Sequence, residues 1–167
     1  MAGNKNEGVG DRRPIGVFDS GVGGLTDINL GEWTHVAVTR HKATGAVKLY
    51  LRGQLDVTGY GSLASLGTQP ILMIGASPSG SFLDGMIDEV KLWTTVRTQA
   101  QIAAGMREPP VENEPGLIGY YRFDELRESW LEDSSSVGNH GRVTNQQILM
   151  PSDAPLCDAS VSSGGAG

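Results

Sequence analysis

The stretch Ala46 to Thr58, AVKLYLRGQLDVT, limits what this chain can fold into more than any other segment. AVKLYL alternates, which on a strand places Val47, Leu49 and Leu51 on one face and Lys48, Tyr50 and Arg52 on the other, a half-buried pattern. Arg52-Gly53 then falls where a two-residue hairpin turn would lie, and Gln54 to Thr58 (QLDVT) returns as a second strand. Gly53 suits a positive φ, whereas Arg52 is a poor residue for the first central position, so the turn type stays open. Tight connections of this kind build antiparallel sheet.

Further strand signals recur at short intervals. Trp33 to Thr39 (WTHVAVT) is rich in β-branched and aromatic residues, and Ile71 to Ala76 (ILMIGA) is apolar on both faces and reads as a central strand. Gly85 to Trp93 (GMIDEVKLW) carries Met86, Val90 and Leu92 on one side, with Asp88 among them; an acidic group there needs a partner, a hydrogen bond or a metal. Thr98 with Gln101 three residues on forms a capping-box pattern, predicting one short helix over 99–106 before Pro109-Pro110 ends it. Leu117 to Phe123 (LIGYYRF) and His140 to Thr144 complete the set. Six or seven strands and one helix predict an all-β antiparallel sandwich or jelly roll.

Composition agrees and removes some functions. The 167 residues include 24 glycines and 8 prolines, a turn-rich content, and they leave room for one ordinary domain. The formal charge is −6, so a phosphate backbone or anionic lipid has no electrostatic reason to attract the chain as a whole, and nucleic acid is not an expected partner. The acidity is local. Glu108 to Asp133 holds eight acidic and two basic residues, whereas Gly31 to Arg107 holds seven basic and five acidic. No apolar run approaches membrane-spanning length, so no membrane insertion is expected. The single cysteine, Cys157, cannot form an internal disulfide.

The motifs GEWTHVAVT, AVKLYLRGQLD, ILMIGAS and FLDGMIDEVKLWTTVRTQAQI, in that order, resemble the laminin G-like, concanavalin A-like family of jelly-roll modules. GLIGYYRFDE, DSSSVGNHG and PSDAPL extend the likeness, which covers residues 27–156. The resemblance implies a two-sheet sandwich that binds carbohydrate or an extracellular protein without catalysis, in a larger surface or secreted protein of bacterial type. Such modules carry about half their strands before the motif matching Trp33 to Thr39, and here about thirty residues precede it, so the sandwich is expected to be incomplete and its exposed strand edges to favour self-association.

Pro14 to Thr26 (PIGVFDSGVGGLT) resembles instead the amino-terminal strand and glycine loop of glutamate racemases, with Asp19 and Ser20 at positions that face substrate in that family. Racemisation there uses two cysteines. Cys157 matches neither, and the enzyme body after Thr26 is missing, so the alternative is an inactive fusion remnant. The expected organisation is a leader over 1–26, the sandwich over 27–156 and a disordered polar tail over 157–167. The amino terminus shows no secretory signal, which sits against the extracellular or cell-surface location that the sandwich resemblance implies and leaves a cytoplasmic one open.

Two sites are candidates. Glu132 to Gly141 (EDSSSVGNHG) offers Asp133, Asn139 and loop carbonyls, and Asp88 and Glu89 could approach from a neighbouring strand, a set that suits Ca²⁺ with its roughly six to eight oxygen ligands. The sandwich resemblance also implies a structural Ca²⁺ in such a loop. The competing reading is an Asx-type turn that caps its own backbone. A carbohydrate site needs aromatic platforms beside polar groups, and Lys48, Tyr50 and Arg52 on one exposed face, Tyr60 in a glycine-rich loop, and Trp130 supply them. Trp33 and Trp93 are expected in the core. His35, His41 and His140 are too scattered for a zinc spacing. Catalysis has little support: Asp124-Glu125 and Asp88-Glu89 are adjacent pairs that point to opposite faces of a strand, and no nucleophile elbow is present.

Overall fold

A computed structural model describes residues 31–64, 72–77, 80–144 and 154. Among these the chain is antiparallel β with one short helix. Strands β1 (Val36–His41), β2 (Ala46–Leu51) and β3 (Gln54–Tyr60) form one sheet in chain order. Strand β4 (Val90–Trp93) pairs with β5 (Leu117–Tyr121), and helix α1 (Gln99–Ala104) lies between them in sequence. Strands β6 (Leu126–Arg127), β7 (Trp130–Leu131) and β8 (Gly141–Arg142) form a small third sheet with β7 in the middle.

The β2–β3 hairpin turns on Arg52 at φ 50 and Gly53 at φ 76, so both central residues are left-handed, as a type I′ turn requires. Leu51 faces Gln54 across it. Gly53 is also where the helix closes on the sheet: a Cβ there would meet Ala103 Cα and Cβ at 3.1 Å and Met106 Cε at 3.2 Å. The Gln99 side-chain amide adds a 2.9 Å hydrogen bond to Gln54 Oε1. The helix opens with the expected capping box, Gln101 N–H donating to Thr98 Oγ1 and Thr98 N–H donating to Gln101 Oε1.

The described core is thin. Leu49, Tyr50, Leu51, Ile102, Leu117, Tyr120, Tyr121 and Leu131 are each 5–7% exposed, and among the described residues no large side chain is fully sealed.

Several expectations are corrected. Strand β2 is not half-buried: Leu49, Tyr50 and Leu51 are all buried, because at the turn end both of its faces are covered. The described part of the ILMIGA segment makes only one bridge, Ala76 to Phe82, and leaves Leu72 63% exposed, since a run of apolar residues becomes a central strand only where strands lie on both sides. The 85–93 segment is a paired strand only from Val90, with Glu89 left-handed at φ 54 immediately before it. Strand β5 stops at Tyr121, ahead of Phe123 at φ 55. The helix ends at Ala104, two residues short of the expected boundary. Trp33 and Trp93 are half-buried. Residues 1–26, with the racemase-like segment, and 157–167, with Cys157, lie outside the described residues, as does Ile71.

Candidate functional site

Strand register decides which residues share a surface. His41 pairs with Ala46 and Ala46 with Tyr60; Thr39 pairs with Lys48 and Lys48 with Thr58; Ala37 pairs with Tyr50 and Tyr50 with Leu55. Ala46, Lys48 and Tyr50 alternate along β2, so the rows share one face of the β1-β2-β3 sheet, with a bulge between Leu49 and Tyr50 shifting the β3 register by one residue before Leu55. Along it, cover is lost from one end to the other. Tyr50 is 5% exposed at the turn end, Lys48 is half-buried, and Tyr60 is 80% exposed at the open end. The structure therefore brings Lys48, Tyr50 and Tyr60 to one face but leaves Tyr50 unable to present its ring. Arg52 is exposed in the turn, off the strand.

The open end also holds a histidine that the sequence analysis weighed only for zinc. His41 closes β1 and is exposed, and with Tyr60 it flanks the small Ala46, the three forming a row about two strand spacings, ~10 Å, wide. The 42–45 connection holds this end in place: Gly45 N–H donates to His41 O at 2.9 Å and Gly61 N–H donates to Gly45 O at 2.8 Å. Gly45 at φ 70 admits that contact only without a side chain, since a Cβ would lie 2.6 Å from Gly61 O. His41 Nδ1 lies 3.1 Å from Thr44 Oγ1. The alternation of β1, read in register with the hairpin, was the signal that could have placed His41.

The acidic loop is organised differently from a cation site. Asp133 is 4% exposed. Its Oδ1 accepts from the backbone N–H of Tyr120 at 2.7 Å and of Ser135 at 2.8 Å, and its Oδ2 accepts from Ser135 Oγ at 2.8 Å and Asn139 N–H at 2.7 Å. Four donors fill the four lone-pair positions of a carboxylate. Burial by itself would raise the Asp133 pKa, but the hydrogen bonds from Ser135, Tyr120 and Asn139 outweigh it and hold the carboxyl below its usual value. Asn139 turns its amide N–H toward Ile118 O at 2.8 Å, and its own backbone carbonyl accepts from Tyr121 O–H at 2.6 Å. The Asx-turn geometry accounts for this loop.

Asp88 and Glu89 are engaged elsewhere. Asp88 Oδ1 accepts from Glu89 N–H at 2.8 Å, fixing the left-handed turn that opens β4. Glu89 Oε2 accepts from Tyr120 O–H at 2.6 Å and lies 3.7 Å from Lys91 Nζ, while its Oε1 is 3.9 Å from Arg122. Tyr120 thus reaches Asp133 with its backbone and Glu89 with its phenol, so the two carboxylates sit at opposite ends of one tyrosine. Among the described residues no three His, Cys, Asp or Glu side chains are grouped to hold a metal ion. The residues present do not fit a Ca²⁺ site, since a cation at Asp133 would have to displace at least one of the four donors that fill its carboxylate.

Burial, followed by the hydrogen bond and charge of Glu89, pushes the Tyr120 phenol well above its ordinary range. Burial lowers Lys91, with Glu89 pulling the other way; its ammonium donates to Gly105 O at 2.9 Å and Glu108 O at 3.1 Å, tying the helix end to β4. Burial, then the Lys91 charge, lowers His35, whose buried Nδ1 has no hydrogen-bond partner among the described residues. Asp124 is paired with Arg122 at 2.8 Å rather than arranged with Glu125 across a cleft.

Comparison with known proteins places this geometry. Residues 14–103 match the model of the concanavalin A-like lectin/glucanases superfamily, a span that includes the racemase-like segment. Over 140 residues the chain is 29% identical to pappalysin-1 of Mus musculus and 28% identical to pappalysin-1 of Homo sapiens. The match takes in 76% of this chain and 8% of each pappalysin, so the chain spans a small fraction of the curated relatives it matches. A crystal structure of a candidate carbohydrate-binding protein from Bacteroides ovatus superposes with a TM-score of 0.62 at 24% identity, covering 77% of this chain and 39% of that one, which shows a shared fold. The family match covers more than half of the chain, and the protein belongs to the concanavalin A-like lectin/glucanases superfamily.

Proposed function

We propose that the chain is a noncatalytic carbohydrate-binding module of a larger surface or secreted protein, and that it meets its ligand at the open end of the β1-β2-β3 face. The observation that carries this reading is Tyr60, an aromatic ring 80% exposed on a strand and in register, across Ala46, with the exposed His41. A pyranose stacks its C–H face on such a ring, and Thr58 and Lys48 in the next row supply a hydroxyl and an ammonium to orient sugar hydroxyls. Family membership and the fold shared with the Bacteroides ovatus protein support the class. An extracellular setting accords with the superfamily, and among the described residues no helix is long and apolar enough to cross a membrane.

Glycan-array binding by the folded protein, compared with Tyr60→Ala, tests the reading. The expected outcome is binding to a defined glycan set that weakens about tenfold in the variant, at unchanged Tm. Equal binding by both proteins, or binding only to a protein partner, overturns it. Among the described residues β1 and β3 are the edges of their sheet, and pairing of two copies there would appear as a dimer in size exclusion.

A further inference from the structure

The third sheet carries a surface that the carbohydrate reading above does not use. Arg127 pairs with Trp130 in the β6–β7 ladder, and Trp130 pairs with Arg142 in the β7–β8 ladder. The row Arg127, Trp130, Arg142 therefore lies straight across the three strands on one face. The opposite row, Leu126, Leu131 and Gly141, turns inward: Leu131 is buried, and a Cβ on Gly141 would meet Leu131 Cβ at 3.6 Å and the Tyr121 ring at 3.7 Å. Inward packing of that row forces the other outward, and Trp130 is 49% exposed.

Trp93 shows what a structural tryptophan looks like in this protein. Arg97 lies 4.0 Å over the Trp93 ring, and Glu114 holds that guanidinium at 2.7 Å, so both ring and charge are satisfied internally. Trp130 has an arginine on each side but no cation stacked over its ring among the described residues. Arg142 is exposed, and its guanidinium makes no ion pair or hydrogen bond among the described residues. Arg127 reaches Glu132 at 3.1 Å, but both side chains are more than half exposed, and pairs of that kind hold weakly and exchange readily.

We propose that the Arg127-Trp130-Arg142 row is a binding site for an acidic polysaccharide, distinct from the Tyr60 surface. The proposal rests on the reading of the chain as a glycan-binding module and adds a second site with its own ligand class. The flat indole takes the apolar face of a sugar ring. Arg142 takes a carboxylate or sulfate in a two-pronged hydrogen bond, and Arg127 takes the next acidic group by exchanging Glu132 for it. The site sits on the middle strand, whose backbone is already paired on both sides, so an extended peptide gains no main-chain hydrogen bonds beside Trp130. The ligand must be read by ring faces and pendant anions, which favours a glycan over an acidic peptide. The row lies partly within the acidic Glu108 to Asp133 stretch; there Glu132 is engaged by Arg127, and Arg142, outside that stretch, is the cation left to meet the anion.

Titration of the full chain with polygalacturonate, dextran sulfate, uncharged dextran and poly-glutamate, followed by calorimetry and tryptophan fluorescence, tests the site. The expected result is binding of at least one acidic polysaccharide, with a shift in indole emission and little response to uncharged dextran. Arg142→Gln should weaken that binding about tenfold and Arg127→Gln less, since Arg127 begins paired. Tyr60→Ala should leave it unchanged, which separates failure of this site from failure of the Tyr60 reading. Trp130→Ala, verified as folded by circular dichroism, should abolish it. Failure of both acidic polysaccharides, equal affinity in Arg142→Gln, or tighter binding of poly-glutamate overturns the proposal.

Discussion

Asp133 Oδ1 accepts the backbone N–H of Tyr120 at 2.7 Å, so a buried loop carboxylate closes a hydrogen bond of strand β5. The same carboxylate also takes Ser135 and Asn139. Its removal would leave three backbone N–H groups without this acceptor, each costing about 1–3 kcal/mol where no water replaces it. Asp133→Ala should destabilise the protein by roughly 2–4 kcal/mol, read as a drop in the urea midpoint, and Asp133→Asn should recover only part of it.

The pH dependence of that loop has a definite sign. The folded pKa of Asp133 lies below the ordinary 3.8, so the folded state binds the proton less readily than the unfolded state does. Its contribution is fully present above the unfolded value and is lost as pH falls through the folded one. Acid unfolding curves of wild type and Asp133→Asn should therefore converge at the acid end and separate above about pH 4.

Tyr120 and Glu89 form a second pair, 2.6 Å from phenol to carboxylate. A double-mutant cycle of Tyr120→Phe and Glu89→Gln should give a coupling energy of about 1–3 kcal/mol. The phenol should ionise above the normal tyrosine range in an ultraviolet titration, and its stabilising effect should be complete below the unfolded tyrosine pKa of 10.0 and fade as pH rises beyond it.

Calcium is expected to leave the protein unmoved. Because four donors occupy Asp133, millimolar Ca²⁺ added to chelator-treated protein should not shift Tm; a rise of several degrees would show a cation site of different composition.

The hairpin turn gives opposite responses at adjacent positions. Arg52 holds a left-handed φ of 50, and Arg52→Asn should stabilise by about 0.5–1 kcal/mol because asparagine tolerates that conformation better. Gly53→Ala should destabilise by about 1–3 kcal/mol, since its Cβ would add strain at φ 76 and press on Ala103 and Met106. Thermal melts of both variants check the pair.

Local chemistry was enough to read much of this protein. The alternation of AVKLYL with Arg52-Gly53, the Thr98–Gln101 box and the apolar pattern of LIGYY are encoded within a few residues of each other, so the hairpin, the helix start and β5 could be read directly. The antiparallel class and the family motifs followed from their order along the chain. Cover depends on what another part of the chain brings, and no local pattern records that. Tyr50 alternates like an exposed residue yet is buried, and Leu72 sits in an apolar run yet is exposed. Asp133 and Asn139 have the composition of a cation loop, but Tyr120, thirteen residues away, takes the lone pair that a cation would need. His41 beside Tyr60, and Arg127 and Arg142 beside Trp130, became surfaces only through strand register, which sets partners many residues apart and is decided by which faces the folded chain buries.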